Sequence, residues 1–196
     1  MNISRKRRPL DRKIDHFKDT KLFIIATEGK ETEKQYFDIF RNLRVQVKII
    51  PTHNGHSAPN WVIERLDDFV QEFNLEEDDE LWVMFDVDNW GTRKISQIAQ
   101  LGSQKEYGLA ISNPCFEVWL YLHFTTLRDN ILTCKDFKSF LRRHLGSYNS
   151  ARLRLSDFKD HVHDAILRSR EIDENSGDRW PQNIGTHVYK VVEKLI

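Results

Sequence analysis

The chain has 196 residues, and its 30 Lys and Arg balance its 30 Asp and Glu to a formal net charge of zero. That balance excludes a protein that coats nucleic acid through global positive charge, so any contact with a polyanion has to be local. A hydrophobic share of 39%, with twelve Phe and five Trp, is ample for a packed core and excludes a largely disordered chain.

Residues 1–20 read as a basic arm in which Arg5, Lys6, Arg7, Arg8, Arg12 and Lys13 crowd around Pro9. Two readings stand side by side: a phosphate-binding tail whose effect fades with salt, and a solvated terminus with no partner. No apolar segment follows the basic run and no run approaches bilayer length, so neither a secretory leader nor a membrane span is expected. Cys115 and Cys134 are the only cysteines and do not form a C-x-x-C pair. They favour a reducing, cytoplasmic setting over a disulfide-stapled secreted domain.

Residues 21–27, Lys-Leu-Phe-Ile-Ile-Ala-Thr, form an apolar run of β-formers that stops at Glu28 and Gly29. The shape returns at residues 81–85, Leu-Trp-Val-Met-Phe, which stop at Asp86-Val87-Asp88. A buried strand that ends abruptly in carboxylates delivers them to the rim of a sheet. Between the two lie a helix to about residue 41 with Tyr36, Phe37 and Phe40 on its apolar stripe, a strand at 45–50 stopped by Pro51, and a helix at 60–73. His53 and His56 fall in a polar loop that lacks a second ligand pair, and Ser57 can cap the helix after it. The acidic run 76–80 reads as a solvated connection. A helix at 92–105 and a shorter strand at 107–111 complete the order β-α-β-α-β-α-β, which suits right-handed parallel crossovers. Ligands of such sheets bind outside the carboxyl ends of the strands, so Glu28 meets Asp86 and Asp88 there if their strands are parallel neighbours. Residues two apart on an extended chain point the same way, which aims both aspartates into one volume. The plainer reading of Asp86 to Gly91 as turn chemistry stays open.

Residues 112–124, Ser-Asn-Pro-Cys-Phe-Glu-Val-Trp-Leu-Tyr-Leu-His-Phe, resemble the signature of the RloB-like family, proteins encoded within bacterial restriction or abortive-infection loci. Glu28-Gly29-x-x-Thr32-Glu33-x-x-Tyr36-Phe37 and Phe85-Asp86-x-Asp88 resemble that family's earlier motifs in the right order, and Asn183 to Thr186 adds a weaker match. The resemblance implies an α/β fold, a Toprim-like and mostly parallel four-stranded sheet with helices on both faces. Residues 21–125 would form it, and residues 126–196 a helical C-terminal extension on the same core. It also implies magnesium or manganese held by Glu28, Asp86 and Asp88. Glu33 and Glu117 would join as further site acids, with Ser112 or Asn113 beside them, and Lys190 and Lys194 would be candidates for a nuclease lysine. The partners implied are nucleic acid, DNA or RNA, and an ATPase encoded alongside. The expected activity is metal-dependent phosphodiester hydrolysis in defence against phage or foreign DNA. The alternative is a non-catalytic module that uses the same acids to bind a nucleotide or a partner.

The residues support this chemistry without the family name. Hard divalent cations want carboxylate and water oxygens, so three acids at one rim suffice and His or Cys is not needed. Gly29 would let the backbone approach a phosphate, and Lys30 or a C-terminal lysine would offset charge on phosphoryl oxygens. Glu117 has a plainer reading as a first-turn acid of a helix led by Pro114. His123 reads as a hydrogen-bonded core group and Cys115 as a small buried packing residue. Further on, helices are expected from Thr133 or Asp136 to residue 144, at 156–171 and at 186–196, with a loop at 175–185. The basic stretch 142–154, with Tyr148 inside it, fits a nucleic-acid path and equally the macrodipole of its own helix.

Overall fold

The computed structural model describes residues 21–29, 31–40, 45–51, 59–88, 90–129, 131 and 133–196. The basic arm, Lys30, and His53, His56 and Ser57 lie outside the described residues. Strands β1 (Lys21–Thr27), β2 (Val45–Ile50), β3 (Glu80–Met84) and β4 (Gly108–Leu109) form one all-parallel sheet in the order β2-β1-β3-β4. β1 lies inside the sheet and is covered on both faces, which is why its sequence is a continuous apolar run rather than an alternating one. Its side chains still divide by parity. Phe23 and Ile25 join Trp82 and Met84 of β3 on one face, while Leu22, Ile24 and Ala26 join Val83 and Phe85 on the other.

Helices α2 (Pro59–Glu72) and α3 (Thr92–Gln104) cover the second face through Val62, Ile63, Leu66, Ile95 and Ile98. The first face carries α1 (Thr32–Phe37), α4 (Glu117–Leu122), α5 (Cys134–His144), α6 (Ser156–Lys159), α7 (Val162–Ile172) and α8 (Val188–Val192). Phe137, Phe158, Ile166 and Val191 therefore share one apolar cluster with Phe23 and Trp119. α5 begins with a capping box in which Thr133 and Asp136 satisfy each other's backbone N–H groups.

Several elements depart from expectation. The first helix ends at Phe37 and tightens into a 3-10 turn at Asp38–Phe40. β4 has two residues rather than five, although Ala110 N–H to Val83 O and Ser112 N–H to Phe85 O keep the chain alongside β3. The helix expected at 156–171 is two, because the His161 N–H bonds back three residues to Phe158 O and turns the axis. The last helix is shorter than 186–196 since Thr186 is drawn into a two-stranded antiparallel pair, β5 (Ser112–Asn113) with β6 (Gly185–Thr186).

The cysteines overturn the expectation of free thiols and of Cys115 as a packing residue alone. Cys115 and Cys134 are bonded to each other across 19 residues, tying the approach to α4 to the first turn of α5. Closing a loop of that length restricts the unfolded chain, so reduction is expected to lower stability by about 3 kcal/mol. Urea unfolding with and without a thiol reductant measures this, and identical midpoints would contradict it.

Candidate functional site

The acids reach the rim because β1 and β3 are parallel neighbours in register, with Thr27 opposite Met84. The pairing continues one step further, from Glu28 N–H to Met84 O at 3.1 Å. Past β3 the chain is pinned by the segment after β4. Val87 N–H reaches Ser112 O at 3.0 Å, and Asp88 N–H reaches Pro114 O at 3.0 Å. Glu117 enters from the same segment as the first residue of α4, and Glu33 from the first turn of α1.

Glu28 is turned towards β3. Its Oε2 accepts the Asp86 backbone N–H at 3.2 Å, and Trp90 Nε1 donates to both carboxylate oxygens at 3.3 and 3.4 Å. Glu33 is buried above Gly29, so that a methyl group on Gly29 would fall on the Glu33 carboxylate. Glu117 is buried as well, accepting from the Tyr148 hydroxyl at 3.0 Å and lying 3.4 Å from the Lys138 ammonium. Asp88 is the exposed member, with its Oδ2 3.3 Å from Cys134 Sγ.

These groups raise one another's proton affinity. Burial pushes Asp86 well above the usual aspartate range, and the charges of Glu33, Glu117, Glu28 and Asp88 all push the same way. Glu33 is pushed up to about 7, mainly by burial and then by Glu117 and Glu28, against hydrogen bonds from its own backbone and that of Gly29. Glu28 is raised by burial and Asp88, less so because Asp86, Trp90 and the Arg65 guanidinium favour its ionised form. Asp86 thus feels the charges of four other carboxyl groups, the five being drawn from four separate segments.

In kind, the donor set suits a hard divalent cation, since every group offers only oxygen. In arrangement, the side chains are not converged: among the described residues no group of three His, Cys, Asp or Glu stands placed to hold a metal ion. Glu28 spends its oxygens on Asp86 N–H and Trp90 instead.

The remaining candidates lie apart from the cluster in their contacts. Ser112 Oγ bonds Thr186 Oγ1 at 2.8 Å and Asn113 Nδ2 donates to Pro181 O at 3.0 Å, so both fasten β5 to the C-terminal segment. Lys190 donates to Ser176 O at 2.7 Å and contacts His187 Nδ1 at 3.2 Å, and the acids acting on it are Asp173, Asp178 and Glu193. Lys194 pairs with Glu80 at 2.9 Å, at the opposite end of β3 from Asp86. His123 is fully buried between the Tyr36 hydroxyl and Trp119 O, and burial pushes it down to about 3, as a neutral core imidazole.

Four residues missed in the sequence touch the acids or stand beside them. Trp90 binds Glu28; Tyr148 and Lys138 hold Glu117; Arg65 donates to Thr27 O at 2.7 Å, beside Glu28. Each comes from a different distant segment, and only Trp90, two residues after Asp88, carried a local signal. Gly29 also has a different part from the one expected, since the space over it belongs to Glu33. Gly29→Ala is expected to push that carboxylate towards water and bring its pKa down from about 7 towards an ordinary glutamate value. The pH profile of unfolding reads this directly, and a profile identical to the native one would contradict it.

No helix among the described residues is long and apolar enough to cross a membrane. No curated protein and no solved structure matches the chain. A family model described as RloB-like protein matches residues 23–195, from the third residue of β1 to the penultimate residue. The match takes in all five acids of the rim and the helices that support them, and the chain belongs to the RloB-like protein family.

Proposed function

We propose that the rim is the catalytic centre of a magnesium- or manganese-dependent nuclease, Toprim-like in type. It would work in a restriction-associated defence system in the cytoplasm, beside an ATPase partner. The observation that carries the reading is Asp86, half-buried and within the electrostatic reach of Glu28, Glu33, Asp88 and Glu117. Packing five acids together opposes folding unless something positive offsets their repulsion, and a divalent cation does so while serving chemistry.

Glu28, Asp86, Asp88 and Glu117 would hold the ion. Magnesium bound there supplies water activation and offsets charge on phosphoryl oxygens. The chain's own residues do the rest. Glu28 has to leave Asp86 N–H and Trp90 to face the ion. Tyr148 and Lys138 keep Glu117 aimed inward from α4. With a pKa near 7, Glu33 exchanges a proton readily at neutral pH, which suits a general acid or base at its carboxylate oxygens. Lys190 serves this chemistry only if its bonds to Ser176 and His187 open.

The hydrogen bonds that hold Glu28 closed favour one other reading, a regulatory module that binds a nucleotide or a partner at the rim without turnover. Incubation of the purified protein with magnesium or manganese and DNA or RNA, with and without the ATPase, separates the two. The nuclease reading expects cutting by the native protein and none by Asp86→Asn. Equal cutting by both rejects the site, and metal binding without cutting under any of these conditions leaves the regulatory module.

A further inference from the structure

Beside the acidic rim, α5 carries a line of cations whose placement its own helix does not explain. Lys135, Lys138 and Arg142 follow one another at spacings of three and four, which puts them along one side of the helix, while Phe137 and Leu141 are buried on another. A helix macrodipole favours cations in the last turn and disfavours them in the first. Arg142 therefore fits the dipole, but Lys135, in the first turn, stands against it. Lys138 already pairs with Glu117, so the line passes directly beside the cluster.

The line continues into a cleft of about 400 Å³ between the end of α5 and the loop before α6, lined by Arg142, Tyr148, Asn149 and Arg152 among others. The loop is fixed in place: Thr32 Oγ1 donates to Ser150 O at 2.9 Å, and Gln35 Oε1 accepts the Leu153 N–H at 2.8 Å. Arg154 closes one side through Asp157 and Leu145 O. Arg142 and Arg152 are exposed and, among the described residues, make no ion pair. Tyr148 lines this cleft and donates to Glu117, so a single hydrogen bond separates its floor from the acids. Exposed cations that follow one another along α5 and into a cleft, next to buried acids, have the charge layout of a track for a polyanion.

From this geometry we infer that the α5 side chains and the Arg142–Arg152 cleft bind the phosphodiester backbone of a nucleic-acid strand and lead it past the rim. From Lys135 to Arg142 the helix rises roughly 10 Å, so one phosphate reaches only part of the line and a strand is needed to occupy it. The inference rests on nucleic acid as the substrate but not on hydrolysis, and binding in EDTA tests it apart from cutting. The probes are fluorescein-labelled 20-nucleotide DNA and RNA single strands, followed by anisotropy across a series of salt concentrations, with ATP as competitor.

Arg142→Glu with Arg152→Glu is expected to weaken binding at least tenfold and to flatten the salt dependence, by about 0.7 in log-log slope for each lost phosphate contact. Arg93→Glu, on α3 across the sheet, is expected to leave both nearly unchanged. In the native protein, bound strand is expected to protect Arg142 and Arg152 from phenylglyoxal, a readout that needs no folded variant. Native affinity in the double variant, no protection, failure of the native protein to bind either strand, or displacement by ATP at strand-equivalent concentration would each overturn the inference. Strand binding with this dependence, together with no cutting by the native protein with magnesium or manganese, with or without the ATPase, would instead remove the nuclease reading alone.

Discussion

Replacing Asp86 with asparagine is expected to lower metal-dependent cutting by at least about a thousandfold while making the metal-free protein more stable above neutral pH. The rate effect follows from position. Asp86 is the acid on which the charges of the other four act, and losing about 4 kcal/mol of transition-state stabilisation corresponds to a factor of roughly a thousand. The stability effect has the opposite sign because the native carboxyl is held in an unfavourable field. Below its ordinary value of 3.8, Asp86 is protonated in both the folded and the unfolded chain, and asparagine is a close substitute. As pH rises from there, the unfolded chain gives up this proton while the folded state, among its acidic neighbours, holds it or carries an opposed charge, a loss that the variant escapes. Urea unfolding at pH 3 and pH 8 separates the cases: near equality at pH 3 and a gain for Asp86→Asn at pH 8. A loss of stability at both pH values, with cutting retained, would mean that Asp86 serves packing alone.

Glu33 gives the second large effect. Its folded pKa, about 7, lies above its ordinary 4.5, so the folded state binds the proton more tightly than the unfolded state does. Stability from this group is complete below pH 4.5, declines as pH rises through 7 and is absent beyond, a total of about 3 kcal/mol. Asp86 and Glu28 are raised as well and add to the same trend. Metal-free protein is therefore expected to lose stability between pH 4.5 and 8, and Glu33→Gln to remove much of that slope. Magnesium at pH 8 is expected to restore part of what is lost, since it favours the ionised carboxyls. Chemical denaturation across pH measures all three. A flat profile for the native protein, or an equal slope in Glu33→Gln, would contradict the electrostatic description of the rim.

Much of the scaffold was legible because its physics is local. β1 and β3 announce themselves as apolar runs ended by acid, and the crossover lengths between them dictate a parallel sheet, so the meeting of Glu28 and Asp86 followed from pattern alone. Elements decided by tertiary contacts were less legible. β5 and β6 are two residues each and exist because Ser112 and Thr186 find each other from 74 positions apart. The Cys115–Cys134 bond depends on the return of the chain into α5, which spacing does not disclose. Within the rim, acid identity was readable but the surrounding support was not. Arg65, Lys138 and Tyr148 sit on segments whose own periodicity says only helix or loop, and their contacts with Thr27 and Glu117 arise from packing. The soft lysine candidates fared differently for the same reason. Lys194 is captured by Glu80 at the far end of β3, and Lys190 by Ser176 and His187.

A crystal of the full chain soaked in manganese, with anomalous diffraction recorded at the metal edge, tests the central claim most directly. An anomalous peak bridging the carboxylates of Glu28 and Asp86, with Glu28 swung away from Trp90, is the predicted result. Full manganese exposure with no peak at the rim, and Glu28 still bonded to Asp86 N–H and Trp90, would contradict it.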